Sequence, residues 1–354
     1  MLSCRTCMKL LSHQRLRTSS AYNNNNYGGL QLPFQRILSR GFRRRQQQSR
    51  TGRSLKMYPE NNNNSEVPVG RRSSHRDLGD RTFRHLRKPL VFTMTIGGVC
   101  YVSCAVWQHE RFRTIFSLNK SSPDIFQSRR SGLRAELNRL WNSTTLGERA
   151  VFAVLGVNLA VLALFRIPSM TPLMMRYFTA TPYAKAVCWP MLLSVFGHYS
   201  LVHCGLNMYV LHSFSSVVAD RLMGLEQFVG FYVTAGCVAS LAGYAAKIAT
   251  KNRNPSLGAS GAILAVLAYT CCKIPNEKLS IVFLPMFTFS AASALYGIIV
   301  FDSLGLLLGW QIFDHAAHLG GTLFGIFYAT YGERAWLKYR RLVVRKWISI
   351  TGRN

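Results

Sequence analysis

Three short stretches in the second half of the sequence hold residue types suited to cutting a peptide bond. The first runs His198-Tyr199-Ser200-Leu201-Val202-His203-Cys204-Gly205-Leu206-Asn207. The second is Gly258-Ala259-Ser260-Gly261, and the third runs from Asp314-His315-Ala316-Ala317-His318 through Gly320 and Gly321 to Gly325. A serine hydroxyl is a weak nucleophile until a base within about 2.6–3.2 Å can take its proton. A neutral imidazole at His318 can be that base and can later return the proton to a leaving amine. A developing oxyanion needs fixed donors. The Asn207 amide, the His203 ring N–H and the Ser260 backbone N–H are candidates, the last at a helix start where the dipole also helps. His203 and Asn207 are four residues apart and share one helix face. No acidic residue stands at an evident third position, so the set reads as a dyad of Ser260 and His318. Asp302 and Asp314 flank the loop before the last apolar run and are expected at the membrane interface.

Each of these residues also has a structural reading. Ser260 fits a small-residue packing face, and Gly-Ala-Ser-Gly-Ala does not satisfy the G-x-S-x-G nucleophile elbow. Asn207 can join helices. His198 and His203 could ligate haem or a metal, and His315 with His318 could pair on an ion. No His-Glu-x-x-His occurs, which argues against a zinc protease. Cys4-x-x-Cys7 has metal or redox spacing but lies in a segment that reads as a disposable leader. Nine scattered cysteines show no disulfide framework. Taken jointly, the serine, the His/Asn face and the His/Gly face point to chemistry.

Such polar groups need elements to hold them, and the elements here are apolar. A bilayer core calls for about 20 helical residues. Runs at roughly 90–107, 150–167, 187–211, 228–248, 258–273, 279–303 and 313–331 qualify or nearly qualify. The first stands apart, so the sequence predicts an all-α polytopic membrane protein: a six-helix bundle plus one additional N-terminal helix. No period-2 alternation suggests a barrel. The run from Gly258 is short and follows Asn252-Arg253-Asn254-Pro255-Ser256. A helix that begins partway into the bilayer is tolerated where its end lines a water-filled cavity. Gly258, Gly261, Ala262 and Ala265 form one small-residue stripe, and His318, Gly321 and Gly325 form another. Small residues let membrane helices approach closely, which would bring Ser260 to His318. The segment 168–186, broken by Pro168, Pro172 and Pro182, reads as a loop lying in the interface.

Composition sets the surroundings. Hydrophobic residues make up 49% and charged residues 16%, yet Lys+Arg outnumber Asp+Glu by 43 to 14, a net charge of +29. The basic residues crowd the N-terminal region, 109–149 and the C-terminus, which argues against a soluble nucleic-acid binder. No Asp or Glu precedes Glu60, and the arginines there alternate with Ser, Leu and Gln. That pattern matches a mitochondrial transit peptide. The expected organisation is a transit peptide over 1–56, a low-complexity basic linker over 57–88, an extra helix and basic loop over 89–149, a catalytic bundle over 150–331 and a basic tail over 332–354.

His198-x4-His203-x3-Asn207, Gly258-Ala259-Ser260-Gly261 and Ala317-His318-x2-Gly321-x3-Gly325, in that order, resemble the signature of rhomboid intramembrane serine proteases. The extra helix, the leader and the stretch 313–321 look closer still to the mitochondrial presenilin-associated rhomboid-like subgroup. The resemblance implies Ser260 as nucleophile, His318 as base, and His203 and Asn207 as oxyanion donors. It implies a multi-pass protein of the mitochondrial inner membrane, without cofactor, metal or nucleic acid. Its substrates would be single-pass membrane proteins, such as dynamin-like fusion GTPases or imported kinases. Where many bacterial rhomboids have Trp-Arg in the first loop, this chain has Met175-Arg176-Tyr177. Two other readings differ in what they require. A catalytically inactive rhomboid-like chaperone would not need both Ser260 and His318. A transporter would carry paired charges at the bundle midplane.

Overall fold

The computed structural model describes residues 82–121, 132–281 and 284–352. The expected transit peptide, and the linker up to residue 81, lie outside them. Helix α1 spans Arg87–Ser121, 35 residues. At about 1.5 Å per residue it is some 52 Å long, more than the bilayer core requires. Its apolar part gives way at Gln108 to a polar end. Helix α2, Leu133–Ser143, places Leu133, Leu137, Leu140 and Trp141 outward on one side. That is the pattern of a helix lying in a membrane interface. Thr145 then stops one helix and starts the next. Its hydroxyl accepts from the Glu148 N–H at 3.1 Å, while its own N–H donates to the Glu148 carboxylate at 2.7 Å. This capping box opens α3, Leu146–Leu164.

Within 168–186, expected as an interfacial loop, a short helix α4 forms at Thr171–Tyr177. The single run expected over 187–211 is two helices, α5 at Cys188–Leu193 and α6 at Leu201–Val217. Gly197 and Ser200 are extended between them, and the Ser200 hydroxyl caps α6 by accepting from the His203 N–H at 3.1 Å. Helix α7, Leu225–Ala249, is the longest in the bundle and its most buried span. Helix α8, Ser260–Lys273, has 14 residues, about 21 Å, too short to cross the bilayer. It is also the centre of the core: Ala262, Ala265, Val266, Ala268 and Tyr269 are all fully buried.

The apolar run expected as a span over 279–303 begins as a hairpin instead. Strand β1, Lys278–Ile281, pairs antiparallel with β2, Leu284–Ser290. The segment is rich in β-branched and aromatic residues, which suit a strand. Ser290 then caps helix α9, Ala291–Leu307, by accepting from the Ser293 N–H at 3.1 Å. The helix therefore starts about a dozen residues later than the hydropathy suggested, and it extends past Asp302. Helix α10, His315–Phe327, is capped by Asp314. The basic C-terminus forms helix α11, Glu333–Thr351.

Helices α3, α6, α7, α8, α9 and α10 make a six-helix bundle, and α1 lies outside it against α7. Gly230 of α7 admits Cys104 of α1, and the Arg111–Glu226 ion pair fastens the polar end of α1 to the start of α7. Helix α11 returns along α1. The Tyr101 hydroxyl donates to the carbonyls of Ala335 and Trp336 at 2.9 Å, and Trp347 donates its ring N–H to Glu110 at 2.7 Å. The protein is an all-α membrane protein in which one added helix is clasped between the bundle and the C-terminal segment.

Candidate active site

Ser260 is the first residue of α8, and the chain approaching it is held from three sides. Ala180 and Ser256 exchange two backbone hydrogen bonds of 2.7 and 3.0 Å. Because α5 stops, the carbonyl of Ser194 is available, and Gly258 donates its N–H there at 2.9 Å. Lys247, at the end of α7, donates to the Ser256 hydroxyl at 3.1 Å and to the Asp314 carboxylate at 2.5 Å. Gly258 has φ of +136°, a backbone region open mainly to glycine. A β-carbon there would also stand 3.0 Å from the edge of the His203 ring. This glycine thus sets the sharp turn and leaves room for an imidazole two residues from Ser260.

Helices α8 and α10 then meet with nothing but backbone between them. A β-carbon at Gly321 would overlap the Gly261 carbonyl, and one at Gly325 would overlap the Ala265 carbonyl. The same four-residue step on both helices keeps the contact running along their length. Ala239 of α7 fits against Gly261 from a third side. This approach delivers His318 to Ser260: its Nε2 lies 2.7 Å from the serine Oγ. That is hydrogen-bond reach for a nucleophile and its base. A cavity of about 40 Å³ adjoins Ser260, Gly258, Leu257 and Ala317, room for a few water molecules.

His203 and Asn207 sit one turn apart on α6, as their spacing requires. His203 is half-buried and lies beside Gly258. His198, buried in the break before α6, packs edge-on against it with ring centres 5.0 Å apart. Asn207 is buried and donates from Nδ2 to the His203 carbonyl at 2.9 Å. An amide has two such donors, so one bond does not exhaust it.

Of the two acidic residues expected at the interface, Asp314 is partly buried and Asp302 fully so. Asp314 accepts from the Ala317 N–H at 3.1 Å as the cap of α10, and it pairs with Lys247, whose side chain is 8% exposed. Asp302 is 1% exposed, inside α9. Its Oδ1 lies 2.7 Å from His315 Nδ1 and 3.3 Å from His318 Nδ1. The third position read as vacant in the sequence therefore holds a carboxylate. The expected span of 279–303 had put Asp302 in a final turn. The helix that forms places it well inside, where a charge is a functional candidate by default. Asp302, His315 and His318 each offer a ligand atom within 4.8 Å of the others. A divalent transition metal accepts such a donor set, but the two Nδ1 atoms here converge on one carboxylate oxygen.

Residues 185–334 match the family described as the Rhomboid domain. The human presenilin-associated rhomboid-like protein, mitochondrial, is 46% identical over 273 residues, covering 75% of this chain and 72% of the human protein. The zebrafish (Danio rerio) presenilin-associated rhomboid-like protein A, mitochondrial, is 37% identical over 294 residues, 76% of each chain. Rhomboid protein 1, mitochondrial, of Saccharomyces cerevisiae is 31% identical over 193 residues, 54% of this chain and 55% of the yeast protein. A short helix carrying the serine, glycines that bring the histidine helix against it, and this extent of identity lead to one assignment: the chain belongs to the rhomboid family.

Proposed function

We propose that the protein is an intramembrane serine endopeptidase of the mitochondrial inner membrane that cuts single-pass membrane proteins. The observation that carries this reading is the 2.7 Å contact between Ser260 Oγ and His318 Nε2 at the sunken start of α8. Ser260 attacks the scissile carbonyl as its proton passes to His318. The oxyanion faces the Asn207 amide, the His203 ring N–H and the Ser260 backbone N–H. The imidazolium returns its proton to the leaving amine, and a water from the adjoining cavity then hydrolyses the acyl-enzyme with His318 again as base. Residues 150–331 form the catalytic unit.

A peptide bond inside a membrane helix is closed off by its own hydrogen bonds and must unwind before attack. Preferred substrates accordingly carry Gly, Ser or other helix-weakening residues at the cut. The mitochondrial names of the relatives support the location, and the acid-free basic leader supports import. The decisive experiment is cleavage of a single-pass substrate by the purified protein in liposomes, with Ser260→Ala as the control. Turnover by Ser260→Ala comparable to wild type would overturn the mechanism. Equal cleavage of a uniform Leu helix would overturn the proposed substrate preference.

A further inference from the structure

Of the three oxyanion donors in the proposed reaction, His203 is the one whose direction is least fixed by bonding. Its backbone is tied: the N–H goes to the Ser200 hydroxyl at 3.1 Å and the carbonyl accepts from Asn207 at 2.9 Å. Its ring is not. Among the described residues no hydrogen bond reaches either ring nitrogen, so packing alone sets the angle of the imidazole. His198 makes the edge-on contact already described, and Gly258 brings its backbone close. The third neighbour is Tyr199, whose ring lies nearly parallel to that of His203, at 19° with centres 6.4 Å apart. Aromatic rings favour such an offset stack.

Tyr199 is 64% exposed, yet it is anchored at its far end. Its hydroxyl donates to the Pro255 carbonyl at 3.1 Å, 56 residues away in sequence. Pro255 precedes the turn through Ser256, Leu257 and Gly258 that leads into Ser260. The bonds described above tie that turn to Ala180, Ser194 and Lys247. Tyr199 adds a tie to the segment from which α6 starts. One side chain thus spans the two halves of the site, with its ring beside His203 and its hydroxyl on the chain that delivers Ser260.

We infer that Tyr199 is a positioning residue for His203, holding the imidazole in the orientation that serves the oxyanion; this inference rests on the serine peptidase reading. A donor stabilises an oxyanion only if its N–H points to where the charge develops. The terminal torsion of a histidine is soft, so a ring without hydrogen bonds turns unless a neighbour blocks it. Tyr199 blocks it with a plane that is fixed at both ends: by the backbone just before the Ser200 cap and by the hydroxyl on Pro255. Leucine at 199 removes the plane. Phenylalanine keeps the plane and releases its outer end.

An exposed aromatic at the mouth of a site could instead touch substrate, or it could staple the fold. The first role appears in KM, and the second appears in thermal unfolding without reference to His203. The test reads all three. Wild type, Tyr199→Phe, Tyr199→Leu, His203→Ala and the two double variants are reconstituted in liposomes, and kcat and KM are measured for a single-pass substrate, with Ser260→Ala as the blank. Tyr199→Leu should lower kcat about tenfold, less than the 10²–10³-fold that loss of a whole donor brings, while KM stays within about twofold. Tyr199→Phe should lower it about threefold. With His203→Ala already present, either change should lower kcat by less than about 1.5-fold, because nothing is left to position. The phenylalanine cycle suffices if the leucine variant fails to insert, since it removes only an exposed hydroxyl. Losses that persist undiminished beside His203→Ala overturn the inference. So does an effect confined to KM, and so do variants of position 199 that match wild type. If His203→Ala itself matches wild type, the inference falls and the peptidase reading stands. A wild type that does not cleave at all overturns both.

Discussion

Gly321 rests directly on the carbonyl of Gly261, so the helix that carries His318 touches the helix that carries Ser260 without any side chain between them. Gly321→Ala should force the two apart. Overpacking of this kind costs about 1–3 kcal/mol, and a small rise in the Ser260–His318 distance should cost far more activity than stability. Gly205, where an added β-carbon meets nothing, is the control: Gly205→Ala on α6 should be neutral or slightly stabilising. Thermal unfolding in detergent together with cleavage in liposomes measures both effects.

Ser260→Ala and His318→Ala should each abolish turnover while the protein still inserts, and the double variant should be no worse than either. Members of one catalytic unit are strongly non-additive. Asn207→Ala should be milder, with a loss of about 10²–10³-fold in kcat for one oxyanion donor. Additive losses in the Ser260/His318 pair, read from single-turnover rates, would place the two residues in separate roles.

Lys247→Met should be among the most destabilising single changes. It strips the partner from Asp314, a carboxylate packed at the start of α10, and it also releases Ser256, four residues before Ser260. Breaking a buried pair by removing one member typically costs about 3–5 kcal/mol. Lys247→Met with Asp314→Asn should recover much of that, because no uncompensated charge remains. A midpoint of thermal unfolding that is lower in the double variant than in the single one contradicts this account.

Deletion of residues 1–56 should prevent mitochondrial import and leave an insertable bundle. The motive is the acid-free, arginine-rich composition of that segment. Fractionation of cells expressing the tagged truncation checks it, and normal mitochondrial enrichment would show that targeting resides elsewhere.

What the sequence disclosed, and what it hid, follows from the range of the forces involved. The pairing of Ser260 with His318 could be anticipated because small-residue spacing on two helices is a local pattern with one geometric outcome. The break in 187–211 was hidden because its cause is distant: the Ser194 carbonyl is satisfied by Gly258, 64 positions on. The hairpin before α9 was hidden because a strand rich in apolar residues and a membrane helix have the same hydropathy over a short window. That one misplacement also concealed Asp302, since a charge at the end of a span calls for no partner and a charge inside one does. The C-terminal helix is disguised as a tail in the sequence because its basic surface outweighs the few residues, Trp336 and Trp347 among them, that dock it on α1.

The placement of His318 on the last helix of the bundle has a consequence for biogenesis. Ser260 and its partner are 58 residues apart, with the hairpin and all of α9 between them. A chain delivered to the membrane from its N-terminus carries Ser260 long before it carries His318. On the proposed dyad, every intermediate that lacks α10 holds a hydroxyl without its base, and a truncation before residue 315 should be inactive toward peptide bonds. Under the proposed mechanism, competence comes only once α10 has joined the bundle.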